Sequence, residues 1–132
     1  MARIVCLLMI TLMLGGCQNE AELNGEKIMN ASVSEIGEDW DDIGAELVRF
    51  KSSDQEELHT FVQAIKKSKK NPGIADVAKA DYLLTLELQD GSQAHYYLWL
   101  EQDYGAIMDR KDTNTLYSLK PPVLQKLNTY IK

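Results

Sequence analysis

The chain has 132 residues and a mass of 14.9 kDa, with 26% charged and 45% hydrophobic side chains and a mean hydropathy of -0.28. A chain of this size and composition forms one folded unit plus its termini, which excludes a multidomain enzyme. Fourteen Lys and Arg stand against twenty Asp and Glu, a formal charge of -6. No basic patch in the sequence is large enough to oppose that balance, so no nucleic-acid partner is expected.

Met1, Ala2 and Arg3 precede an uncharged run from Ile4 to Leu14, and Gly15, Gly16 and Cys17 follow it. This is the charged, apolar and small-residue order of a secretory signal, and the run is too short to span a bilayer as an anchor. Leu14, Gly15, Gly16 and Cys17 resemble the lipobox of bacterial lipoproteins. That resemblance implies cleavage before Cys17, a diacylglyceryl thioether on its sulfur and acylation of the new amine. Residues 1–16 are then signal peptide, and the lipid on Cys17 tethers the remainder to the extracytoplasmic face of a cell membrane. Each buried methylene of such an anchor contributes about 0.8 kcal/mol. Cys6 departs with the signal and Cys17 is blocked, so no thiol remains for a disulfide, a nucleophile or a metal. Only Arg3 is lost with the signal, leaving 13 basic against 20 acidic side chains and a charge of -7.

Gln18 to Lys27 is polar and contains Gly25, so residues 17–27 read as a lipidated N-terminus and flexible spacer, with a single domain over residues 28–132. Met29, Ala31 and Val33 alternate with Asn30, Ser32 and Ser34, the period of a half-buried strand. The acid-rich stretch from Glu35 to Glu46, around Gly37, Trp40 and Gly44, reads as a loop before a strand at Leu47 to Phe50. Ser53 and Glu56 form a capping-box pattern, and Leu58, Phe61, Val62 and Ile65 share one helical face. Acids in the first turn and Lys66, Lys67, Lys69 and Lys70 at the other end suit the helix dipole, before Asn71, Pro72 and Gly73 stop the helix.

Two alternating apolar runs, Tyr82 to Leu88 and Ala94 to Leu100, flank Asp90 and Gly91 and predict a hairpin. A two-residue turn pairs Leu86 with His95, setting leucines beside a titratable ring. A three-residue loop with Gly91 in the left-handed region pairs Leu84 with Tyr96 and Leu86 with Ala94, and gathers Tyr82, Leu84, Leu86, Leu88, Tyr96 and Leu98 on one face. The second register is preferred. Its opposite face carries Leu83, Thr85, Glu87, His95, Tyr97 and Trp99. Ala106 to Met108 and Thr115 to Leu119 read as further strands around a polar turn at Asp109 to Asn114. Ser118 is the expected N-cap of a last helix with Pro121 in its first turn. The order predicts an α+β fold, a small antiparallel sheet meander packed against two helices that cover the Leu84 and Leu98 face.

Chemistry-bearing residues are sparse. His59 lies beside the helix's apolar face with no relay partner at helical spacing, while His95 has Glu87 or Tyr97 as its nearest strand neighbours. Asp39, Asp41 and Asp42 crowd together but lack a calcium-loop pattern, and no phosphate loop, zincin motif or nucleophile elbow is present. Neither a metal nor another cofactor is expected. Tyr97 and Trp99 have two readings: an apolar patch for a partner, or a second small core packed under the Trp40 loop.

The segment from Pro72 to Tyr117 resembles the YhfM-like domain of Bacillus-type lipoproteins through Gly73 to Tyr82 (GIADVAKADY), the Asp90 and Gly91 turn, Tyr97 to Leu100 (YLWL), Ile107 and Met108, and Asp112 to Tyr117 (DTNTLY). The family pattern carries His in the last motif where this chain has Asn114. The resemblance implies location and fold and supplies neither substrate nor catalytic residues. From their own chemistry, Asp112, Thr113, Asn114 and Thr115 make either a turn lock or a polar recognition loop beside Tyr97 and Trp99, for an envelope protein or cell-wall ligand. The leading expectation is a non-catalytic, membrane-tethered binding or accessory domain. The alternatives are a small envelope hydrolase using His95 and an acid, and a structural subunit of a membrane complex.

Overall fold

The computed structural model of the chain describes residues 20–73, 75 and 77–132. The expected signal peptide (residues 1–16) and the expected lipidation site, Cys17, lie outside the described residues. Among the described residues, eight strands and two helices follow in the order β1 (Glu22–Leu23), β2 (Glu26–Ile36), β3 (Ile43–Lys51), α1 (Gln55–Lys66), β4 (Lys69–Lys70), β5 (Tyr82–Leu88), β6 (Gln93–Leu100), β7 (Gly105–Asp109), β8 (Tyr117–Ser118) and α2 (Pro121–Ile131). Every strand pairing is antiparallel, along β1-β2-β5-β6-β7-β8-β4 with β3 also on β2. The fold is therefore α+β, with both helices packed on one face of the sheet, as the order of elements predicts.

The hairpin takes the preferred register. Leu84 pairs with Tyr96 and Leu86 with Ala94. Gly91 sits at φ 90°, and the Gly91 N–H donates to the Leu88 carbonyl at 2.9 Å, which closes the three-residue loop. Leu84, Leu86 and Leu98 are wholly buried beneath Leu58 and Phe61 of α1 and Leu127 of α2. Thr60 joins the helices: its hydroxyl lies 3.2 Å from the Tyr130 hydroxyl while bonding the Glu56 carbonyl one turn back.

Several local expectations are corrected. The stretch expected to be a spacer folds from Ala21 onward, because Asn24 (φ 54°) and Gly25 (φ 84°) turn β1 back on β2 and bury Ala21 and Leu23 in the core. Asn-Gly between paired strands is a strong hairpin signal in its own right. Met29 does not share the core face with Ala31 and Val33. Ile28 pairs with Leu88 and Asn30 with Glu87, so Met29 is the extra residue of a bulge and Ile28 takes the buried position. The acidic loop is shorter than expected, since β3 begins at Ile43.

Neither predicted cap forms. Asp54, not Ser53, precedes α1, and its carboxylate accepts from the Lys51 N–H at 2.8 Å. Lys120 precedes α2, while the Ser118 hydroxyl donates to Asn71 Oδ1 at 2.8 Å. The lysine cluster is not only a helix terminus: Lys69 and Lys70 form β4 on the last edge of the sheet, where charged side chains discourage further strand addition.

Candidate functional site

The outer face of the sheet carries a second core. Tyr97 and Trp99 are 6% and 8% exposed, packed with Ile36, Leu83, Ala106 and Met108 under Trp40, Ala75 and Val77. Trp40 meets both rings edge-on, at centroid distances of 4.8 Å to Tyr97 and 5.9 Å to Trp99. The Trp99 indole N–H donates to the Ala78 carbonyl at 2.9 Å. The exposed aromatic patch is thus corrected to the other expected arrangement. Alternation sets which strand face a ring occupies, but only the 37–42 loop and the segment before β5 decide whether that face meets water.

The cover leaves a cleft of about 370 Å³ lined by Trp40, Ala75, Val77, Tyr97, Met108 and Thr113. Tyr97 and Thr113, singled out from two separate motifs, therefore share one surface feature, with exposed Thr113 at its rim. Trp99 lies deeper in the packing beside it. Asn114 and Thr115 are not part of this lining, and Asp112 belongs to a different cavity on the opposite face of the sheet.

The turn between β7 and β8 is built by its own acids. The Asp109 carboxylate accepts from the Lys111 N–H at 2.8 Å, and the Asp112 carboxylate accepts from the Asn114 N–H at 3.3 Å. The Asn114 carbonyl accepts from the Ala75 N–H at 3.0 Å, fastening the turn to the segment that roofs the aromatic rings. This link joins two of the motifs, GIADVAKADY and DTNTLY, and no local pattern in either announces it.

His95 has no acid as its observed partner. It pairs with Thr85, whose hydroxyl lies 3.1 Å from the ring Nδ1, and its pKa is lowered from 6.5 by burial and then by the nearby Arg110 and Lys111 charges. Glu87, the acid expected beside it, pairs with Gln93. His59 is half-buried on α1. Because the folded imidazole takes up its proton at lower pH than the unfolded one, its contribution is complete above the ordinary value of 6.5 and is lost as pH falls through it. Urea melts of wild type and His95→Gln across that interval should show a smaller loss on acidification in the variant; identical slopes would remove His95 as the source.

Among the described residues, no group of three or more His, Cys, Asp or Glu is placed to hold a metal ion, and no helix is long and apolar enough to cross a membrane. Fold and cleft together define a small mixed α+β domain with a helix-covered face and a loop-covered aromatic face. The chain belongs to the YhfM protein family, whose model matches residues 27–132. No curated protein and no solved structure matches it.

Proposed function

We propose that this protein is a lipid-anchored, extracytoplasmic accessory domain that binds an envelope protein or cell-wall ligand without catalysing a reaction on it. The observation that carries the binding half is the cleft in which Thr113 stands beside Tyr97 and Trp40: an apolar recess with a polar rim on a rigid sheet. The anchoring half is supported by the run from Arg3 to Cys17, ending in Leu14, Gly15, Gly16 and Cys17. A hydrolase centred on His95 has less support, because Thr85, Arg110 and Lys111 surround the ring where a relay would need an acid.

Cross-linking in intact cells, followed by membrane fractionation, tests both halves with three proteins. Wild type should sediment with membranes and carry a cross-linked partner. Cys17→Ala should move to the soluble fraction, and Thr113→Arg should stay on the membrane but lose the partner, with its melting curve unchanged. Sedimentation of Cys17→Ala like wild type would end the anchoring half. A partner retained by Thr113→Arg would end the role of the cleft and favour a structural subunit held through another surface.

A further inference from the structure

A second cavity lies on the inner face of the sheet, where the end of α1 passes over β6, β7 and β8. It encloses about 360 Å³, within the size range of small-ligand sites, and Leu23, Ile65 and Ile107 give it apolar walls. Asp109 and Asp112 line it against the single charge of Lys66, so its polar end is net negative. Tyr96 also lines it, although that residue is only 8% exposed. Among the described residues the Tyr96 hydroxyl makes no hydrogen bond, so a side chain more than nine-tenths buried brings a free polar group to the cavity.

Burial, and then the charge of Asp109 directly across the strand pair, push the Tyr96 phenol up to about 12. It is therefore neutral and protonated at ordinary pH, able to accept a hydrogen bond through its oxygen. The Asp109 and Asp112 carboxylates each accept one backbone N–H within their own turn, through Oδ1. Neither forms an ion pair with Lys66.

We propose that this cavity binds a compact organic ammonium ion, its head against Asp109, Asp112 and the Tyr96 oxygen and its carbon skeleton against Leu23, Ile65 and Ile107. An anion would meet two carboxylates and one ammonium, and a neutral alcohol would leave the negative end unneutralised. A bare divalent cation needs six or more oxygens, and beyond the two carboxylates the lining offers it only the neutral side chains of Asn24, Tyr96 and Tyr117, with the Lys66 charge opposing it. The net negative charge of the whole chain adds a long-range bias towards cations. This site lies on the face opposite the aromatic cleft and does not rest on the function proposed for it.

The test titrates the full chain, in non-ionic detergent at constant ionic strength, with n-butylammonium, n-butanol and butyrate, following the Tyr96 and Tyr117 ring resonances. Only the ammonium should give saturable shifts. Asp109→Asn keeps the Oδ1 acceptor of its turn, as Asp112→Asn does, and each should weaken binding by about fivefold or more, the scale of a charge-assisted hydrogen bond. Tyr96→Phe preserves the ring packing and should weaken it less. Three results would each overturn the proposal: no saturable shift with the ammonium, equal binding of n-butanol, or undiminished affinity in the Asp109→Asn, Asp112→Asn double variant.

Discussion

Trp99→Ala is expected to lower the unfolding free energy by about 3–5 kcal/mol, read as a fall in the urea midpoint with Trp40 fluorescence as the probe. Three losses combine at this position. The substitution removes a ring that is 8% exposed, takes away the edge-on partner of Trp40 and strands the Ala78 carbonyl that receives the indole N–H. Against a typical domain stability of about 5–15 kcal/mol, such a change removes about a fifth or more of the margin. Trp99→Phe keeps an aromatic ring and loses the hydrogen bond, so its midpoint should fall between the two. An unchanged midpoint in Trp99→Ala would show that the loop-covered core contributes nothing to stability. The same reasoning governs how a binding defect is interpreted: partner loss in Trp99→Ala mixes core damage with any change at the cleft, whereas Thr113→Arg alters the rim of the cleft and leaves the core intact.

Phe61→Ala should be as damaging, again about 3–5 kcal/mol, because it opens a cavity at the centre of the larger core. Phe61 is wholly buried and lies 5.7 Å from Phe50, which in turn lies 5.7 Å from Tyr130 of α2. Its removal therefore loosens the contact of both helices with the sheet. Val62→Ala, at a partly buried position on the next residue, provides the comparison and should cost about 1 kcal/mol. Equal midpoint shifts for the two variants would show that α1 does not present Phe61 as its anchor.

The parts of the fold legible from residue order are those where one local pattern settles a choice. Leu84 and Leu86 on one side of Asp90 and Gly91, with Ala94, Tyr96 and Leu98 on the other, specify the hairpin register, since a one-residue slip turns every leucine outward. Leu58 and Phe61 mark the buried side of α1 in the same way. The missed features depend on something outside the window. Ile28 replaces Met29 at the core face because β2 bulges against β5, a partner more than fifty residues away. Asp54 rather than Ser53 takes the position before α1, and its carboxylate holds the Lys51 N–H where β3 ends instead of capping the helix. For the β1–β2 turn the signal was local after all: Asn24 and Gly25 are a hairpin dipeptide set in an otherwise polar stretch.

The candidate site divides along the same line. Tyr97 and Trp99 are recognisable as an aromatic pair on one sheet face, and Asp112 to Thr115 as a polar turn, from alternation and residue type alone. Their relation was decided by folding. The Trp40 loop with Ala75, Val77 and Ala80 closes over the rings, the Ala75 N–H fastens to the Asn114 carbonyl, and the sheet separates Thr113 from Asp112 into cavities on opposite faces. By itself the chain's order of residues determined the α+β class, the central hairpin and the face each ring would occupy, because periodicity acts between near neighbours. Whether a face is covered, and which side chains share a cavity, rests on contacts between distant segments, which exist only once the sheet has brought them together.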